Sequence, residues 1–113
     1  MLLENNRVEN RTDPPSRSAI LAQLDEILRS PAFRSSKRSQ EILVHLVHHA
    51  LEGNVEELKE RVIGQEIFGR PLDYDTGQDS IVRAKLNEVR RRLVQYFDEA
   101  GDSATVRIEI PVG

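Results

Sequence analysis

Apolar residues recur at helical spacing along most of the chain. From Ser18 to Arg29, the side chains of Ile20, Leu21, Leu24, Ile27 and Leu28 share one side of a helix, and Ser30-Pro31 stops it because the residue before proline avoids the helical region. Ser35 or Ser36 caps a second helix in which Leu43, Leu46, Val47 and Ala50 follow i, i+3, i+4, i+7, with Gly53 as a left-handed terminus. A third helical stretch begins near Val55 and Glu56, carries Leu58, Val62, Ile63 and Ile67, and ends at Gly69. Gly64 interrupts it, so that one helix or two short ones are expected. Residues 70–78 have loop chemistry, and Asp79 then caps a long helix reaching Ala100 and closed by Gly101-Asp102.

The period changes after that helix. Val106, Ile108 and Ile110 alternate with Arg107 and Glu109, the pattern of a half-buried strand. Residues 1–15, ending in Thr12-Asp13-Pro14-Pro15, are polar and carry neither period, so they read as a disordered arm and leave 16–113 as the folded domain. The expected fold is mainly α, with four to five helices and a short β element at the carboxyl terminus. An isolated strand exposes its ladder groups, so it needs a partner. The candidates are an extended piece at Leu72 to Tyr74 or another copy of the chain, which would make the protein a homodimer.

Composition narrows the chemistry. A chain of 113 residues fits one domain, and with two Tyr, three Phe and no Trp its core must be aliphatic. The absence of cysteine excludes a disulfide framework and every thiolate metal site, and fits a cytoplasmic location. Met1-Leu2-Leu3 runs at once into Glu4-Asn5-Asn6-Arg7, which predicts neither a signal peptide nor a membrane span. Net charge is −3, the wrong sign for a surface that attracts nucleic acid everywhere, but its distribution is uneven. Residues 83–92 carry Arg83, Lys85, Arg90, Arg91 and Arg92 against Glu88 alone, and Arg34, Lys37 and Arg38 form a second basic cluster.

At about 100° per residue, Val82, Leu86, Val89, Leu93 and Phe97 form one narrow stripe of the 79–100 helix, which must face the core. Ser80, Ala84, Asn87 and Arg91 then lie opposite, with Arg83 and Arg90 on one edge and Lys85 and Arg92 on the other. Short side chains at the centre permit close approach to base edges in a major groove. Asn87 suits adenine, Arg91 guanine or a phosphate, and Ala84 a thymine methyl, while flanking arginines fix register on phosphates. The same face also reads as the solvated side of an amphipathic helix.

Two strings carry a family resemblance. Ser36-Lys37-Arg38-Ser39-Gln40-Glu41-Ile42-Leu43-Val44-His45-Leu46, followed by Val55-Glu56-Glu57-Leu58-Lys59-Glu60-Arg61-Val62-Ile63-Gly64, resembles the first two helices of an OmpR/PhoB-type winged helix-turn-helix effector domain. Residues 80–93, with their Val89-Arg90-Arg91-Arg92-Leu93 close, resemble that family's recognition helix, and 106–113 its first wing strand and turn. The resemblance covers roughly residues 36–113, with helix one in place of the family's amino-terminal sheet and an incomplete wing at 113. The chain also resembles the helical amino-terminal modules of larger bacterial regulators. What this implies is sequence-specific binding of double-stranded DNA for transcription regulation, with groove contact by Ser80, Arg83, Ala84, Asn87, Arg90 and Arg91 and contact near the wing by Arg107. It also implies that loop 70–78 corresponds to the segment that in such regulators touches RNA polymerase. The alternative is a protein-interaction or dimerisation module on the same fold.

Other constellations point less clearly. His45, His48 and His49 stand at i, i+3 and i+4, which invites a zinc reading, but they lie off the Leu43, Leu46, Val47 stripe and no carboxylate is tied to them by a recognised spacing. They read as a solvated flank, and no metal is expected. Asp73, Asp75, Gly77 and Asp79 imitate the start of a calcium loop, but Gln78 stands where its glycine belongs and Ala84 replaces its glutamate. Gly64, Gly69 and Gly77 are isolated and no nucleophile occupies an elbow, so neither a cofactor nor an enzymatic activity is expected.

Overall fold

A computed structural model of the chain describes residues 2–5, 15–53, 60–71 and 80–110. The architecture is mainly helical, with a two-stranded antiparallel sheet. Helix α1 spans Arg17–Arg29 and starts where the Ser16 hydroxyl accepts the Ala19 amide at 3.1 Å. It ends at Ser30, but the following proline does more than terminate it. Pro31 opens a one-turn helix, α2 (Pro31–Arg34), its fixed φ and missing amide suiting a first helical position. That turn buries Ala32 and Phe33.

Helix α3 (Lys37–Glu52) begins at Ser36, which accepts the Ser39 amide, and stops at Gly53 with φ 77°. Helix α4 (Glu60–Glu66) runs through Gly64 without a break, and the chain leaves it at Gly69, where φ is 66° and the Arg70 amide returns to the Gly64 carbonyl at 2.9 Å. The expected start near Val55 lies outside the described residues. Helix α5 covers Ile81–Ala100, with Ser80 at its N-cap position and Gly101 at its end. Asp79, the expected cap, is likewise outside the described residues, as are Asp73, Asp75 and Gly77.

Beyond a turn of 3-10 helix at Gly101–Ser103, strand β2 (Val106–Glu109) buries Val106 and Ile108 as the alternation requires. Its partner corrects two expectations. Leu2–Asn5, placed in a disordered arm from the sequence, forms strand β1 and pairs antiparallel with β2, Leu3 opposite Ile108 and Asn5 opposite Val106. The strand therefore has a partner within the chain, which removes the need for a second copy to supply one. Residues 1 and 6–14 of that arm lie outside the described set.

All five helices and the sheet close one core, whose completely buried members include Ile27, Phe33, Ile42, Leu43, Val47, Ile63, Val82, Val89 and Ile108. Gln23 sits among them and links three elements. Its Nε2 donates to the Tyr96 hydroxyl at 2.8 Å, and its Oε1 accepts the amides of Thr105 at 2.8 Å and Val106 at 3.1 Å. One buried amide side chain thereby fixes α1 against α5 and the start of β2, satisfying backbone donors that the short strand leaves open. Burial pushes the Tyr96 phenol above its ordinary range, which keeps it protonated. Among the described residues no helix is long and apolar enough to cross a membrane.

Candidate nucleic-acid interface

The stripe of α5 that faces the core is the expected one, with Val82, Val89, Leu93 and Phe97 buried and Leu86 packed partly against the cluster, and Tyr96 joins it. Turned away from it, Ser80, Arg83, Ala84, Asn87 and Arg91 are all exposed. Nothing in the described structure covers Asn87 or Arg91. These residues span three turns, about 16 Å of helix axis. Further along, the same face changes character, since Val94 is 57% exposed and is followed by exposed Gln95, Asp98 and Glu99. The basic surface thus belongs to the amino-terminal half of the helix.

Arg90 is only half exposed because it is already engaged. Its Nε donates to the Ile110 carbonyl at 2.9 Å, and its Nη1 donates to Asn87 Oδ1 at 2.7 Å. The first contact ties the end of the β2 segment to the flank of α5. The second orients the Asn87 carboxamide, whose oxygen has a second lone pair and whose amino group carries two donors. An adenine edge needs one acceptor and one donor from asparagine, and both remain available after the Arg90 contact. Arg90 thus positions the Asn87 carboxamide.

The opposite edge departs from expectation. Lys85 and Arg92, placed by the helical wheel as outer flanking cations, are turned into the seam between α5 and helices α2 and α3. Glu88 is the reason. Its carboxylate takes Lys85 Nζ as an ion-pair partner, Arg92 Nη2 at 3.5 Å and the Ser39 hydroxyl at 3.0 Å, while Arg92 Nη1 donates to the Ala32 carbonyl at 2.6 Å. The hydrogen bond from Lys85, with Ser39 and the charges of Lys85 and Arg92 adding to it, holds the Glu88 carboxyl below its usual range despite the opposing effect of burial. Arg92 Nε is buried there without a hydrogen-bond partner, so this guanidinium is held by its other nitrogens alone. The cationic border of the exposed face is consequently one-sided, on the Arg83 and Arg90 side.

Arg107 does not join the group. It lies across the Phe97 ring at 5.2 Å and pairs with Glu109, near the end of α5 and about 25 Å of helix axis from Ser80. The second basic cluster is divided as well. Arg38 donates to the Ile67 carbonyl, pairs with Glu41 and stacks on Phe68, whereas Arg34 at the end of α2 and Lys37 at the start of α3 are exposed. The contact of Lys85 Nζ with Ser36 Oγ at 3.5 Å sets that helix start beside the second turn of α5. Of loop 70–78, only Arg70 and Pro71 are described.

Nothing local in the chain marks Glu88 or Gln23 as organising residues. A glutamate amid arginines reads as a neutralising neighbour, and a glutamine at a core position reads as a break in the period; only the long-range partners reveal either. No protein-family model, curated protein or solved structure matches this chain.

Proposed function

We propose that this chain is a winged helix-turn-helix DNA-binding domain acting in transcription regulation, with α5 as recognition helix in the major groove and β2 as the first strand of the wing. One observation carries the reading: the first three turns of α5 expose a strip of short and hydrogen-bonding side chains, Ser80, Ala84 and Asn87, bordered by Arg83 and completed by Arg91. Such a strip lets a helix axis approach base edges, which a face of bulky side chains prevents. The tether from Arg90 to Ile110 supports it further, because it holds the carboxamide of Asn87 and the end of the wing strand in one fixed relation.

Selection of a preferred duplex from a random pool, followed by titration of the Asn87→Ala variant, tests this. The variant is expected to lose about 1 to 3 kcal/mol on the preferred site and to tolerate substitution at one base pair, with little change on unrelated duplex. Equal losses on every sequence would remove base reading from the account. The net charge of −3 and the exposure of Val94 favour a second reading, a protein-interaction module on the same fold. That reading requires no duplex binding by the parent chain and self-association that Val94→Asp abolishes.

A further inference from the structure

The histidines of α3 do not behave as one solvated group. His48 is exposed, but the His45 side chain is only 9% exposed, and its Nδ1 lies 3.3 Å from Glu66 Oε2. One turn along, His49 stands beside it with ring centroids 4.5 Å apart. Glu66, at the end of α4, supplies the carboxylate that no local spacing in the sequence suggested. One donor atom from each of His45, His49 and Glu66 lies within 4.8 Å of the other two.

We propose that His45, His49 and Glu66 form a binding site for a divalent transition-metal ion, zinc in the first instance. Two imidazoles at i and i+4 on one helix face, joined by a carboxylate from a neighbouring helix, make a three-ligand set that leaves a fourth position for water. Tetrahedral zinc with bonds of about 2.0 to 2.2 Å holds its ligand atoms roughly 3.4 Å apart. The His45 to Glu66 separation already meets that. The widest pair, at most 4.8 Å apart, closes by up to about 1.4 Å, through torsions of the half-exposed His49 ring and of Glu66, whose side chain is 47% exposed. Imidazole donors select zinc, nickel, copper or cobalt over magnesium and calcium, which prefer all-oxygen shells. Each histidine ligates the ion through an unprotonated ring nitrogen. The ion joins α3 to α4, and α4 packs on α5.

The test uses the full chain without a polyhistidine tag. Titration with Co(II) is expected to give one bound equivalent with the visible absorption of a four- or five-coordinate ion, displaced by Zn(II). His49→Gln and Glu66→Gln should each weaken binding at least as much as the roughly 10- to 100-fold loss typical of second-shell changes, whereas His48→Gln leaves it unaltered. In the unmodified chain, Tm should rise with Zn(II) and not with equal Mg(II), a readout independent of whether any variant folds. Absence of stoichiometric Co(II) binding together with an unmoved Tm overturns the site. So does a His48→Gln loss equal to that of His49→Gln, which would mean adventitious binding along the exposed flank.

Discussion

Replacing Gln23 by leucine removes a hydrogen-bonding hub while nearly conserving its volume. The Val106 amide is then left buried without an acceptor, whereas the Thr105 amide, in an exposed residue, can turn to water. An orphaned buried donor costs about 1 to 3 kcal/mol, and the lost bond to the Tyr96 hydroxyl adds about 1 kcal/mol. The greater hydrophobicity of leucine offsets part of this, leaving a net loss of about 2 kcal/mol. For a domain of this size that lowers Tm by roughly 8 to 12 °C. Urea unfolding followed by circular dichroism measures it directly, and an unchanged slope would show that the midpoint alone moved. Hydrogen exchange should localise the weakening to the Val106 amide and the β1–β2 ladder. A Gln23→Leu chain within about 0.5 kcal/mol of the parent would refute the claim that this side chain anchors the start of β2.

Two further outcomes follow from the flanks of α5. Because the folded-state pKa of Glu88 is depressed, its stabilising contribution is present at neutral pH and is lost as pH falls through that lowered value. Glu88→Gln should therefore cost about 1 kcal/mol at pH 7, with the difference from the parent shrinking on acidification below the ordinary carboxylate range; a gap that widens in acid reverses the sign of the argument. Arg90→Lys keeps the charge but not the fork that reaches Ile110 and Asn87, so in duplex titrations it should retain general affinity and lose base preference. Full retention of preference would leave Arg90 a simple phosphate contact.

Periodicity made the long helices and β2 legible, because each needs an apolar face and has enough residues to repeat it. Helix α2 was hidden by Pro31, which reads equally as the end of one helix and the beginning of another. Strand β1 has four residues, too few to set up an alternation, and only its pairing with β2 reveals it. The exposed strip of α5 followed from the wheel, since Ser80, Ala84, Asn87 and Arg91 lie opposite the buried stripe. The wheel gives directions without neighbours, however, and so it could not foresee that Glu88 and the Ala32 carbonyl draw Lys85 and Arg92 inward. The approach of Glu66 to His45 is equally nonlocal, joining residues of two different helices.

The central claim, that the amino-terminal half of α5 lies against duplex DNA, is tested most directly by the salt dependence of binding in the parent chain and in Arg91→Ala. Each phosphate contact contributes about −0.9 to the slope of log affinity against log salt. The account predicts a negative slope for the parent, made shallower by about one unit, or left unchanged with a loss confined to one base pair, when Arg91 is removed. A parent chain whose affinity for duplex is negligible at low salt would contradict it.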